Sequence, residues 1–164
     1  MNTAFTVKGV AKRNSQGGGK KQTEKITVLT YGTFDLFHYG HYFLLKRARA
    51  LGDSLIVGVS SDKLCDQKGK MPVFGQDQRM RIIKDLKFVN RVIIENSMAQ
   101  KVDDAKKYGA KIFVLGDDYA QTFPQMPEYN QLKEIGCETV FLPRTPNIST
   151  TAIKSFNNIY DKEI

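Results

Sequence analysis

Five short runs of apolar and β-branched residues recur along the chain: ITVLT (26–30), LIVGVS (55–60), RVII (91–94), KIFVL (111–115) and TVFL (139–142). Each shows little polar alternation, the pattern of a strand buried on both faces. Stretches with helical spacing lie between them. Gly40 to Leu51 sets Leu44, Ala48 and Leu51 on one stripe, and Gly52-Asp53 ends it. Asp77 to Leu86 offers Met80, Ile83 and Leu86. Met98 to Tyr108 and Glu128 to Ile135 stop at Gly109 and Gly136, residues suited to close a helix. Ser149 to Tyr160 opens on Ser-Thr-Thr, any of which caps a helix. This alternation predicts one α/β domain over residues 26–164: a doubly wound parallel sheet of about five strands with helices on both faces. Such sheets bind ligands beyond the carboxyl ends of their strands, so the loops there are where chemistry is sought.

Composition narrows the class. The chain has 164 residues, a length that suits a single domain. Hydrophobic residues make up 41% and charged residues 26%, ordinary for a globular protein. No apolar run reaches membrane-spanning length, and residues 1–25 lack the apolar core of a secretory signal, so neither insertion nor export is expected. Cys65 and Cys137 lie far apart with no metal or redox spacing, which fits a reducing, cytoplasmic setting.

The net charge of +8 invites a nucleic-acid or phosphate partner. Its distribution separates the two. Residues 1–25 hold six basic groups, one acid and the triplet Gly17–Gly19, with no hydrophobic period, and read as a disordered basic tail. The remainder carries 19 basic against 16 acidic residues. It contains no recognisable nucleic-acid module, so no such partner is expected.

The first predicted strand runs into TYGTFDLFHYGH (30–41), which contains both histidines of the protein, His38 and His41. Residues three apart on a first helical turn point the same way. Two imidazoles beside a helix amino end, with its free N–H groups and positive dipole, make a phosphate site. Gly32 is expected to permit a tight turn, and Gly40 to let a ligand approach the helix backbone. A lone histidine is more often structural, and a two-histidine metal site lacks a third ligand nearby.

GTFDLFHYGH resembles the HxGH signature of the cytidylyltransferase-like nucleotidyltransferases. RTPNISTT (144–151) is similar to the RTxGISTT element of the same superfamily, and Gly116-Asp117-Asp118-Tyr119 resembles its GDDW-type loop. The resemblance covers nearly all of residues 26–154 and is nearest to the bacterial glycerol-phosphate branch. It implies a Rossmann-like form of the expected sheet. It also implies direct in-line transfer of a cytidylyl group from CTP to glycerol 3-phosphate, releasing pyrophosphate and supplying CDP-glycerol for a wall or capsule polymer. Mg²⁺ accompanies the triphosphate, and a homodimer is expected.

The residue roles below follow from the same resemblance. His38 and His41 stabilise the α-phosphorus together with Arg144, and Thr33 and Phe34 border the nucleotide. Thr145, Ile148, Ser149, Thr150 and Thr151 serve the β- and γ-phosphates, with Lys70 as a further phosphate contact and Asp118 touching the nucleotide. Lys68 and Lys101 bind the acceptor's phosphate, Arg79 occupies a basic position of the substrate site, and Asp35 orders the HxGH turn. Relatives often carry arginine, an acid and tryptophan where this chain has Lys87, Asn90 and Met98, a neighbourhood expected near Lys101. TFPQMPEYNQ (122–131) is inserted or rebuilt. These departures leave phosphoethanolamine, phosphocholine or another polyol phosphate as alternative acceptors. The absence of tryptophan counts against choline. IST followed by Thr151 favours CTP over the ATP of adenylyltransferase relatives.

Overall fold

A computed structural model describes residues 24–160, with side chains to Ser155. The predicted tail therefore lies almost wholly outside the described residues. The strands are β1 (Thr27–Gly32), β2 (Ser54–Ser60), β3 (Arg91–Glu95), β4 (Ala110–Gly116) and β5 (Glu138–Leu142). The helices are α1 (Tyr39–Arg49), α2 (Asp62–Gln67), α3 (Gln76–Lys84), α4 (Gln100–Tyr108), α5 (Pro127–Glu134) and α6 (Thr150–Tyr160). Two short 3-10 turns, Asp117–Tyr119 and Phe123–Gln125, follow β4.

All four strand pairings are parallel, in the order β3-β2-β1-β4-β5. Strand alternation divides the core into two layers. Val28, Leu55, Val57, Val59 and Val114 face Leu45 and Ala48 of α1 and Ile83 of α3. Leu29, Ile56, Phe113 and Leu115 face Val102 and Ala105 of α4 and Leu132 of α5. Helices thus cover both faces. The chain winds outward from β1 to β3 and then crosses to β4, so the order reverses between β1 and β4. Their carboxyl ends part there and leave a crevice.

Three differences from the sequence reading have local causes. β1 extends to Gly32, because the ladder continues through Tyr31↔Gly58 and Gly32↔Val59. Helix α2 occupies a segment to which the sequence pattern assigned no element. Its six residues bury only Leu64 and Cys65, too few for a period, but Ser61 Oγ caps it by accepting the Leu64 N–H at 3.1 Å. The rebuilt segment forms the second 3-10 turn and most of α5, and plugs the core with Phe123, which is 2% exposed. The two expected glycine stops hold: Gly109 (φ 61°) and Gly136 (φ 75°) take the left-handed conformation.

Candidate active site

The β1/β4 crevice opens into a cleft of about 410 Å³. Its floor is the turn after β1, one wall is the start of α1, and the other is the β5–α6 loop. Of the residues singled out from sequence, Gly32, Thr33, Phe34, Asp35, His38, Gly40 and His41 line it from the first side. Arg144, Thr145, Ile148, Ser149, Thr150 and Thr151 line the second, with Asp118 and Lys70 completing the rim.

The histidines are held by the backbone they cap. His38 Nδ1 accepts the Gly40 N–H at 3.1 Å, and His41 Nδ1 accepts the His38 N–H at 3.4 Å. Each ring therefore carries its proton on Nε2, which is left free to donate. The rings stack at 3.8 Å between centroids, and His41 also packs edge-on against Phe34. Two stacked imidazolium ions would repel. Burial is the main cause that pushes His41 down to about 3, with His38 and Arg144 adding to it against the pull of Asp35. Burial, then Arg144, lowers His38 as well. The pair consequently presents two neutral N–H donors at physiological pH. The helix N–H at Gly40 is spent on His38, so the donors at this wall are imidazole groups rather than the open amide there.

Both glycines act differently from expectation. Gly32 does not take a positive φ; its bare Cα makes room for the Phe34 ring, 2.8 Å from where a Cβ would sit. Gly40 yields its space to the His38 imidazole, 2.9 Å from a hypothetical Cβ, and to Ile148.

Asp35 orders the turn. Its carboxylate accepts N–H groups of Val73 (2.9 and 3.0 Å) and Phe74 (3.1 Å) and pairs with Lys154 at 2.8 Å. Its carbonyl takes the Thr150 hydroxyl at 3.0 Å. Burial alone would raise its pKa, but Lys154 and the two N–H donors outweigh that and lower it. Asp35 thus ties the 71–74 loop and α6 to the β1 turn. Lys154, which sequence reasoning missed, also donates to Met71 O at 2.8 Å. Its signal was faint: one lysine on a helix whose spacing fits any surface position.

On the opposite wall Ser149 Oγ caps α6 by accepting the Ala152 N–H at 3.1 Å. Thr150's hydroxyl is spent on Asp35, and Ser149, Thr150 and Thr151 line the cleft at the amino end of α6. Arg144 is half exposed and lies 3.6 Å from Asp118, while its amide donates to Asp117 at 3.2 Å.

Arg79, Lys101 and Lys68 do not line the cleft. Arg79, expected in the substrate site, is fully buried. Its guanidinium donates to Thr33 O (2.7 Å) and Phe74 O (2.9 Å) and pairs with Asp62 (2.6 Å), so it braces the same turn from behind. Lys101 is only 4% exposed and pairs with Glu95, whose second oxygen lies 3.4 Å from Lys68. Glu95 was not anticipated; an acid at a strand end is usually solvent-facing. Asn90, expected near Lys101, lies at the other end of β3, where it accepts the Leu55 N–H at 2.8 Å. Lys87 is exposed beside it, and of the three departures only Met98 reaches Lys101.

A cytidylyltransferase-like family model matches residues 29–156, and the motif residues above fall inside that span. The chain belongs to this family. It is 47% identical over 127 residues to a glycerol-3-phosphate cytidylyltransferase of Bacillus spizizenii, covering 77% of this chain and 93% of that protein. It is 41% identical over 136 residues to the Staphylococcus aureus protein of the same name, covering 83% and 96%. Among solved structures, a lipopolysaccharide core biosynthesis protein from Thermoplasma volcanium superposes with a TM-score of 0.61 at 29% identity, covering 74% of this chain and 97% of that one. Among the described residues, no helix is long and apolar enough to cross a membrane.

Proposed function

We propose that this chain transfers a cytidylyl group from CTP to glycerol 3-phosphate, giving CDP-glycerol and pyrophosphate. One observation carries the chemistry. Two neutral imidazoles, fixed by backbone bonds, aim Nε2–H donors into a cleft whose far wall is Arg144 and the amino end of α6. The glycerol acceptor is supported by the relatives at 47% and 41% identity, whose names specify it.

In this reading the triphosphate lies between the two walls. The acceptor's phosphate oxygen attacks the α-phosphorus, a new P–O–P bond forms, and the α–β bond breaks to release pyrophosphate. His38 and His41 donate to the α-phosphate oxygens as negative charge builds there, Arg144 supplies a forked donor, and the α6 amides hold the leaving phosphates. Neutral donors suit this task because they need no proton transfer, and the oxyanion strengthens them as it forms. Lys70 closes the phosphate end from the 71–74 side.

Mg²⁺ enters with the nucleotide as its complex. The residues fit that role rather than a resident metal site. Asp35 and Asp118 are the carboxylates lining the cleft, and both are already engaged by cations. Among the described residues no group of three His, Cys, Asp or Glu side chains is arranged to hold a metal. A homodimer, a cytoplasmic location and supply of CDP-glycerol to a wall or capsule polymer belong to the same proposal and rest on the family resemblance.

Incubation with Mg–CTP and glycerol 3-phosphate should release pyrophosphate, faster than with phosphoethanolamine, phosphocholine or with ATP in place of CTP. His41→Ala should lower kcat by roughly 10²–10³-fold with the fold intact. No turnover at high enzyme concentration, or near-normal kcat in the variant, overturns the assignment.

A further inference from the structure

Helix α6 grips the turn after β1 at two points, one helical turn apart. Thr150 donates its hydroxyl to the Asp35 carbonyl at 3.0 Å, and Lys154 pairs with the Asp35 carboxylate at 2.8 Å. Residues four apart share one face of a helix, and both of these line the cleft. The Lys154 ammonium makes a second bond, to Met71 O, also at 2.8 Å. One nitrogen therefore joins α6, the β1 turn and the loop between α2 and α3.

That loop carries Lys70, and its two sides are held unequally. Before Lys70, Gly69 takes φ 65°, which costs glycine little, and the Lys70 amide donates to Cys65 O at 2.9 Å. After it, apolar packing is thin: Met71 is 86% exposed and Val73 59% exposed. Polar bonds hold this side instead. Lys154 takes Met71 O, and Asp35 takes the Val73 and Phe74 amides. The Lys154 bond is the one that falls on the residue next to Lys70.

Resting on the proposed cytidylyl transfer, in which Lys70 meets the triphosphate, we infer that Lys154 is a positioning residue for CTP. It acts through Met71. By tying that carbonyl to Asp35 and α6, it sets Lys70 opposite the α6 wall that receives the same phosphates. An ammonium has three protons, and two of these are committed to Met71 O and Asp35, so Lys154 serves as a link between the two walls. The link matters because a lysine stem on a loose loop leaves its ordering cost to the ligand, and affinity falls by that amount. The fold depends on it little, since Asp35 keeps two main-chain donors without Lys154.

Lys154→Met removes both bonds and keeps most of the stem. CTP binding is measured by calorimetry without acceptor, and steady-state kinetics are run with glycerol 3-phosphate. The dissociation constant and KM for CTP should each rise about fivefold, while kcat and the acceptor KM stay within about twofold. Lys154→Arg, whose fork reaches two acceptors, should bring CTP affinity back to within about twofold of wild type. Lys70→Met should weaken CTP by itself, and adding Lys154→Met to it should cost no further affinity, because Lys154 acts through Lys70. The melting temperature of Lys154→Met should stay within a few degrees of wild type; a larger fall makes the residue structural and overturns the inference. Unchanged CTP affinity in Lys154→Met, an equal rise for the acceptor, or no restoration by Lys154→Arg also overturns it. Additive losses in the double variant do so too, and make Lys154 a direct phosphate ligand. Wild-type protein that binds CTP but turns over no glycerol 3-phosphate overturns the acceptor assignment alone, and the calorimetry still decides the role of Lys154. Wild-type protein that binds no CTP overturns the proposed function and this inference with it.

Discussion

Asp35→Asn removes one charge at the point where three segments meet. The carboxylate accepts two main-chain N–H groups, from Val73 and Phe74, and its residue is 3% exposed. A hydrogen bond to a charged partner is worth about 1.5–3 kcal/mol, and asparagine retains one neutral acceptor oxygen. Lys154 adds less than about 1 kcal/mol, because its side chain is 35% exposed and solvent screens it. The neighbours raise the stakes. Phe34 (φ 52°) and Leu36 (φ 47°) are both held in the left-handed region, a strain of about 1–3 kcal/mol each that the Asp35 bonds help to sustain. The expected loss is about 2–4 kcal/mol. With an m-value of about 2 kcal/mol/M, the urea midpoint should fall by about 1–2 M. Since Lys70 precedes the loop that Asp35 anchors, KM for CTP should rise in the same variant. Lys154→Met, which keeps the two main-chain bonds, should cost under about 1 kcal/mol.

The pH dependence has a fixed sign. Asp35 is lowered from its ordinary 3.8, so its contribution is fully present above that value and is lost as pH falls through the lower folded value. The stability gap between wild type and Asp35→Asn should be flat at neutral pH and close only below about pH 4. A midpoint shift under about 0.3 M with an unchanged CTP KM would refute the anchoring role, as would a gap that narrows near neutrality.

Two shorter tests address the walls of the cleft. In the free protein the His41 ring resonances should stay still from about pH 8 to pH 5, since its pKa is pushed down to about 3; titration near 6.5 would contradict the buried, neutral donor. Asn147 takes φ 62°, a conformation that glycine and asparagine tolerate. Asn147→Gly should leave thermal stability nearly unchanged, whereas Asn147→Val should cost about 1–2 kcal/mol; equal stabilities would show that the turn is not fixed at this residue.

The sheet was legible because its central strands β2, β1 and β4 are largely buried on both faces and read as apolar runs. The edge strands β3 and β5, expected buried on both faces but only half-buried, still keep three consecutive apolar residues each. Helix α2 was not, because six residues with two buried side chains carry no period, and only the Ser61 cap gives it away. The cleft-lining motifs were legible because local chemistry fixes them: two histidines three apart can cap one helix and each other. The supports behind them were not. Arg79 looks like a surface arginine from its helical position, and only the folded turn reveals three protein partners for it. Asn147 stands where the resembling element has glycine, and the positive φ explains why an asparagine is accepted there.

The histidine wall of the cleft and the buried cluster around Glu95 handle charge in opposite ways. At the histidine end burial strips charge from the donors, and Nε2–H groups wait for negative charge to arrive. At the buried lysine cluster, burial pulls Lys101 downward and its ion pair with Glu95 opposes that, beside the more exposed Lys68. A fully cationic pocket would bind triphosphate, acceptor and pyrophosphate with equal tightness and gain nothing in the transition state. Neutral donors at the reacting phosphorus, with Arg144 as the charged donor across the cleft, direct the stabilisation to the atom where charge develops. The side-chain-to-backbone bonds of His38, His41, Asp35 and Arg79 make that arrangement rigid, and they do so on a turn whose own backbone is strained.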